Sequence, residues 1–544
     1  MKREQLRISS KVRFETFFVV VKIISLCRIL LIEVVLLLPD DGVNVAQWLS
    51  SLETFAGAFY KMFTNVEIRG LLVYFTKRLH DGYCLELGVL RSLLKMAGGY
   101  GFADADSIAS LSQVQLDGRC GSLLLKRETS DFGVVEIVNL NSSRRLRSSL
   151  QEDSCGVTYL ILLSQLRTRM LFDDSASQPK QIKLIGNLYD TCQRTLNILL
   201  AFLTDGTEDK RDTPGAIACY AKSLPNLGEL IHDFGLSAPS VWALCRPLLR
   251  AATFIAYDSA KEKKNKSENK MDIDLPEYLQ SYHPSSTEMQ NECKQMIEES
   301  NWKHITPLVY QRFFTFDVSD LFCPEESYKN EISRLKKEVE RLLQLQRGGR
   351  EAAGMLASLS AKAAAAGGTD REIRQATAFT REHERELERY KRNVDYLSTD
   401  LERQKQRCQS VHLMLKEEKD KFFDGLEEEE GELMTPSVFL ANCLYPRMLQ
   451  SAQDAMYCAH FIKVLHHLET PGFHTLQLLD GVVNAVVGAL YSITEDEAGC
   501  LGIFFENMWN LISDWRYDEL KYNNEVFEKV SFLFPSTYIF FVHV

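Results

Sequence analysis

Two charged segments in the second half of the chain constrain the fold more than any other feature. In NEISRLKKEVERLLQL, the apolar residues Ile332, Leu335, Val339 and Leu342 alternate three and four apart. A longer stripe follows on the same alternation: Leu387, Tyr390, Val394, Leu397, Leu401, Gln404, Cys408, Val411 and Leu415. That spacing keeps one apolar seam on a helix whose other faces carry Glu, Arg and Lys, and such a seam needs a partner seam. Between the two lies RGGREAAGMLASLSAKAAAAGGTD, rich in glycine and small residues. The nearest partner for each arm is the other. The pattern therefore predicts an antiparallel coiled-coil hairpin over 326–432, broken at 346–370 and closed by the acidic run EEEEGE. A single solvated helix is the alternative reading.

The flanking sequence has helical periods as well. Trp48, Leu49, Leu52, Phe55, Ala56 and Phe59 share one stripe; Leu71, Leu72, Phe75 and Leu79 form a second; Leu85, Val89, Leu93 and Met96 form a third, stopped by Gly98-Gly99. GVVEIVNL (133–140) has strand character, and SSRRLRSS (142–149) is a basic polar segment. Helical pattern returns from Gln181 to Leu203, and 224–254 reads as two helices broken near Gly235 and Pro239. KEKKNKSENK (261–270) reads as a solvated linker; its lysines also leave phosphate binding or nuclear import open. After the hairpin, Thr435-Pro436 predicts an N-cap followed by proline at the first helical position. Thr494 and Glu497 predict a capping box ahead of the stripe Ala498, Leu501, Phe505, Met508, Ile512 and Trp515. The expected fold is all-α: an elongated α-solenoid-like scaffold carrying the hairpin as an insertion.

One stretch invites a chemical reading. LANCLYPRMLQSAQDAMYCAHFIKVLHHLETPGFHT contains Cys443, Cys458, His460, His466, His467 and His474. On a helix, Ala455, Cys458, Ala459, Ile462, Leu465 and His466 share one face, and Tyr457, Phe461, Val464 and Leu468 form a second. His460, Lys463 and His467 occupy the remaining strip. Cys458 thus points away from His460, and His460 and His467 stand two turns apart, roughly 10 Å along the axis. A metal ion needs ligands at about 2 Å, normally from histidines at i and i+4. Two apolar faces instead predict a helix sandwiched in a core.

Other chemical signals are thin. The sequence has no GxxxxGK[ST], GxSxG or HExxH pattern. GGYGFADAD (98–106) follows a helix, not a strand, and reads as a loop instead of a phosphate cradle. The reading names no catalytic, cofactor-binding or metal-ligating residue and no cofactor. The 13 cysteines are scattered without a CxxC pair, as expected of reduced thiols. A net charge of −11 argues against a dedicated nucleic-acid binder. FFVVVKIISLCRILLIEVVLLL (17–38) is long enough to cross a bilayer but carries Lys22, Arg28 and Glu33, so a buried helix or an unreliable chain start is the preferred reading over a membrane anchor.

Taken together, these segments resemble the family of the large subunit of the THO complex. VAQWLSSLETFAGAFYKM, GLLVYFTKRLHDG and LRSLLKMAGG resemble its middle domain; SSRRLRSSL, QIKLIGNLYDTCQRTL and LPNLGELIHDFGLSAPSVWALCRPLL continue the likeness. NWKHITPLVYQRFFTFDVSDLFCPEESYKNEISRLK resembles the opening of its C-terminal domain. FLANCLYPRMLQSAQDAMYCAHFIKVLHHLETPGFHTLQLLDGVV and TEDEAGCLGIFFENMWNLISDW carry the most specific blocks. The likeness covers roughly 42–525. It divides the chain into an uncertain segment 1–40, a middle helical domain 41–105, a helical region 106–257 and a polar linker 258–290. After these come the opening of the C-terminal domain 291–325, the hairpin 326–432, the helical remainder 433–529 and a tail 530–544.

The resemblance implies a nuclear scaffold without catalytic activity. Its implied partners are the other THO subunits and a DEAD-box RNA helicase, within the TREX assembly that couples transcription to messenger-RNA packaging and export. Messenger RNA would be met mainly through the complex. A membrane-tethered coiled-coil adaptor is the competing reading. Residues 1–40 depart from the family, its long N-terminal region and basic C-terminal tail have no counterpart, and the likeness is expected to stop at VSFLFPSTYIFFVHV (530–544), read as translated intron.

Overall fold

The computed structural model describes residues 65–80, parts of 87–94, 111–129, 140–171, 182–204, 215–266, 275–363 except 285, 370–423 and 434–527. The segments 1–64, 133–139 and 528–544 lie outside these residues, and with them the apolar run 17–38, the stripe Trp48–Phe59, the strand reading and the tail. Among the described residues the regular elements are all helices, joined by turns, without a strand. None of their helices is long and apolar enough to cross a membrane.

Helix α1 (Asn65–His80) buries Leu72, Phe75 and Leu79, the predicted stripe. Two short helices follow, α2 (Gln113–Arg119) and α3 (Leu123–Glu128). The basic segment 142–149 lies inside helix α4 (Leu140–Gln151). Helices α5 (Cys155–Leu171) and α6 (Ile182–Thr204) pack as a pair, with α1 against α5. Beyond α7 (Ala216–Ser223), the predicted break falls between α8 (Leu227–His232) and α9 (Ala238–Lys266). Gly235 makes that break: its φ is +64°, and Leu236 N–H reaches back to Leu230 O at 3.0 Å. Only glycine enters that left-handed region without a Cβ penalty.

The span read as a polar linker, 258–290, is mostly structured. Helix α9 continues to Lys266, and Leu279, Tyr282, Met289 and Cys293 are buried where the chain folds back through α10 (Thr287–Gln295).

Next come α11 (Pro307–Thr315) and the one-turn α12 (Val318–Leu321), then the hairpin arms α13 (Glu325–Ala363) and α14 (Asp370–Glu418). The arms pack on each other. The expected break at 346–370 is shorter in the structure: α13 runs through Gly348-Gly349 as far as Ala363. Glycine costs about 1 kcal/mol per helical position, and the alanine-rich sequence that follows is the strongest helix former, so the helix persists.

Helix α15 (Met434–Phe439) begins before Thr435, so the predicted N-cap lies inside the first turn. A π-helical turn at Leu440–Leu444 joins it to α16 (Tyr445–Met448). Pro446 accounts for the turn: it lacks an N–H and its ring crowds the carbonyl four residues back, and the wider turn makes room. Helices α17 (Ala452–His467), α18 (Thr475–Ala489), α19 (Glu495–Tyr517) and α20 (Glu519–Tyr522) follow, and a π-helical turn at Asn523–Phe527 ends the described chain. Thr494 and Glu497 form the predicted capping box. The buried face of α19 runs through Cys500, Leu501, Phe504, Met508, Leu511 and Trp515, whereas Ala498 is exposed. The predicted stripe holds at Leu501, Met508 and Trp515, with Phe505 and Ile512 half-buried against the core, and the buried face is wider than predicted on the side of Cys500, Phe504 and Leu511.

Packing order departs from chain order. Helix α2 touches both α17 and α13, and α19 packs on α6. The helical pairs thus form one solenoid-like scaffold whose early and late segments interlock.

Candidate interaction site

The cysteine- and histidine-rich stretch is core. In α17, Tyr457, Cys458, Ala459, Phe461, Ile462 and Leu465 are fully buried, so both predicted apolar faces are covered. Burial pushes the thiols of Cys443 and Cys458 well above the ordinary range, away from thiolate reactivity. Cys458 Sγ points to Leu444 O at 3.9 Å. His460 was assigned to a polar strip, but its ring stacks on Phe322 with centroids 4.3 Å apart and planes 14° apart. Burial, reinforced by Lys463, lowers its pKa to about 3, so it is a neutral aromatic at any physiological pH. His466 Nδ1 lies 3.0 Å from Thr475 Oγ1, and its ring packs beside Trp515. His467 is exposed with Nδ1 against Lys463 O, and His474 precedes α18 after the Pro471-Gly472 turn. The His466 and His467 rings meet edge to face with centroids 5.7 Å apart, and His466 and His474 line one cleft, but the described residues hold no cluster of His, Cys, Asp and Glu arranged to bind a metal.

What the pattern reading missed lies seven residues before Asp454. Arg447 is fully buried. Its Nε donates to Asp454 Oδ1 (2.9 Å), Nη2 to Phe316 O (2.7 Å) and Nη1 to Phe313 O. The guanidinium lies 3.4 Å from the centroid of Tyr457. Arg246 donates to the same Asp454 oxygen at 2.7 Å, and Arg250 forks onto Asp320 with two bonds of 2.6 Å. Burial alone would raise the pKa of Asp317, but Arg250, Arg246 and Arg447 hold it below its usual value. This junction ties α9, α11, α12, α16 and α17 together. The only sequence signal was an arginine and an aspartate inside an otherwise apolar stretch.

The hairpin is anchored on this body. Leu335 and Leu397, one from each seam, are fully buried together with Leu125 of α3 and Tyr328. Below them the stripe leaves the partner arm and enters the body core through Val411 and Leu415. Gln404 sits at the changeover: its Nε2 donates to Cys120 O (2.8 Å) and Phe322 O (3.1 Å). Tyr328 hydroxyl donates to Asp400 (2.6 Å), lies 2.9 Å from Gln404 Oε1 and accepts from Ser122 N–H (2.9 Å). Lys405 crosses to Glu325 of the other arm at 3.0 Å, and Arg312 forks onto Glu418 at the hairpin's end (2.7 and 2.5 Å). The result is a helical arm whose base is fixed by both apolar and polar contacts. A fixed arm of this kind presents a long charged surface.

Residues 302–537 match the family described as "Transcription factor/nuclear export subunit protein 2". THO complex subunit 2 of Dasypus novemcinctus is 27% identical over 493 residues, 90% of this chain and 27% of that protein. The Arabidopsis thaliana protein of the same name is 26% identical over 506 residues, 90% of this chain and 25% of its own length, and the human one 26% over 493. Along nine-tenths of its length the chain is similar to THO complex subunit 2 proteins. It spans about a quarter of the length of the curated relatives it matches. The family match begins at residue 302, in the segment expected to open the C-terminal domain, and takes in the hairpin and the Cys/His-rich stretch. It also runs to 537, beyond the point at 530 where the likeness was expected to stop.

Proposed function

We propose that this chain is a non-catalytic scaffold segment of the THO complex, working in the nucleus within TREX. Its role there is to hold other THO subunits and a DEAD-box RNA helicase close to nascent messenger RNA, with the RNA met mainly through the complex. The observation that carries the reading is the similarity to THO complex subunit 2 along 90% of the chain. The anchored hairpin supports it, because an arm held at its base keeps whatever binds along it at a fixed distance from the body. The buried Arg447 junction supports it as well, since it braces the body from which the arm projects.

The test is affinity purification of the full chain from nuclease-treated nuclear extract, read by mass spectrometry. Recovery of THO subunits with the helicase supports the scaffold by direct protein contact. A folded, soluble chain that recovers neither sinks the reading.

A further inference from the structure

We infer that the exposed face of α18 docks the stretch of this chain that follows Phe527, residues 528–544. Leu476, Asp480, Val483, Val487, Leu490 and Tyr491 recur three or four apart, so they share one face of the helix and of the turn that ends it. Leu476 is half-buried at one end of this face, and Val483, Val487, Leu490 and Tyr491 are 51%, 62%, 56% and 95% exposed. Ala485 and Gly488 are exposed beside them, and a Cβ on Gly488 would meet nothing within 4 Å, so a bulky side chain can approach the backbone there. No residue from Gly481 to Thr494 carries a charge, although 25% of the residues in the chain do. The outer face of a surface helix is ordinarily polar, and a contiguous exposed apolar one marks a contact.

The point at which the described chain ends says what covers this face. Val526 is buried, and with Glu525 it lines the same cleft as Thr475 and Leu476. The chain therefore leaves the body at the end of α18 where the apolar stripe begins. Leu476 to Tyr491 is about 22 Å along the helix axis. A dozen extended residues span about 40 Å, so the segment after Phe527 reaches the whole stripe. The order of its residues fits as well as its length. Lys529 comes first, two residues past Phe527. Asp480, one turn past Leu476, is the one charge on the stripe; it is exposed, and among the described residues its contact is Asn484 Nδ2, which donates to it at 3.2 Å. Beyond Lys529 come Val530, Phe532, Leu533, Phe534, Tyr538 and Ile539, with no charged residue among them. A lysine thus meets the aspartate, and an uncharged apolar run meets the uncharged turns that follow. The family match takes in this segment as far as 537. The docking lies within the chain itself, so it goes beyond the THO scaffold reading and does not depend on it.

The experiment places a photo-crosslinking phenylalanine analogue in the full chain in place of Val487 and, as a control, in place of Leu413, 53% exposed on α14. The irradiated protein is digested and read by mass spectrometry. The expected result is cross-links from position 487 to residues 530–541, in a yield unchanged by tenfold dilution, and none to that segment from position 413. A cross-link from 487 to a second copy, falling with dilution, overturns the assignment, as does the absence of any product in 528–544. Hydrogen exchange gives a second reading without the crosslinker. In the full chain carrying Phe532→Asp and Phe534→Asp, the amides of 483–491 should exchange at least tenfold faster than in the parent, with those of α17 unchanged. Equal exchange along α18 in the two proteins overturns the docking.

Discussion

Gln404 of α14 donates its side-chain amide to the carbonyl of Cys120, 284 residues earlier in the chain, at 2.8 Å. This bond joins the longest helix of the described chain to a short helix far from it in sequence. A polar residue at one seam position of a coiled coil is a known way of fixing register at some cost in stability. Here the partner is the body of the protein instead of the opposite arm, so the residue fixes where the hairpin sits.

Replacing Gln404 with Leu keeps the apolar pattern and removes the bonds. The carbonyls of Cys120 and Phe322 would be left buried and unpaired, at about 1–3 kcal/mol for each unsatisfied group. The expected outcome is a net loss of about 2–4 kcal/mol in chemical denaturation, with the m-value unchanged. A variant as stable as the parent would show that water replaces the amide and that the bond does not fix the arm.

The parts of this architecture that were legible in the sequence depend on repeating patterns. The seams that hold Leu335 and Leu397 could be matched as arms of one hairpin because each seam repeats and neither can remain solvated. The faces of α17 could be drawn because helical geometry alone decides which residues share a side. The rest depended on single contacts between distant backbone and side-chain atoms. Arg447 is satisfied by the carbonyls of Phe313 and Phe316, 134 and 131 residues away, and a backbone carbonyl leaves no trace in a sequence. His460 was placed on the correct strip of its helix, but Phe322 covers that strip. The stripe of α19 caught Leu501, Met508 and Trp515 but not Cys500, Phe504 and Leu511, because a helix packed on two sides fits more than one stripe.

Arg447→Met tests the buried junction. Methionine fills most of the volume, but Asp454 loses one of its two guanidinium partners and two carbonyls lose their donor. Breaking a buried charge pair from one side costs about 3–5 kcal/mol. Denaturation should show a loss of that size, and Arg447→Lys should recover little, since one ammonium cannot reproduce the fork. A stability change under about 1 kcal/mol would mean that Arg246 alone satisfies Asp454.

Asp190 carries a pH dependence between α6 and α19. Burial raises its pKa to about 6, and the nearby Asp496 adds to the shift against the lowering bonds from Thr494 and Asp496 N–H. A carboxyl raised in the folded state favours the protonated form, so its ionisation destabilises the fold. That penalty is absent below about pH 4, grows as pH rises toward 6 and is full above it. Asp190→Asn removes the charge and should stabilise the protein by about 1–2 kcal/mol at pH 7.5, once solvent screening is allowed for. The gain should vanish near pH 4. Thermal denaturation of both proteins across this range reads the difference, and a gain independent of pH would place its origin elsewhere.

Leu397→Asp separates the arm from the body. Leu397 is fully buried in the cluster with Leu125, Tyr328 and Leu335, so an aspartate there must be buried unpaired or the hairpin must open. Burying it unpaired costs several kcal/mol, which favours opening. The Arg447 junction and the aromatic core around Phe313 lie in a separate cluster and should survive. The expected variant is soluble, keeps near-ultraviolet circular dichroism from its body aromatics and gains amide exchange along α13 and the upper part of α14. If the arm is an assembly surface, the same variant should lose THO subunits in affinity purification. Full recovery of those subunits, with exchange showing an opened hairpin, would move the assembly surface from the arm to the helical body.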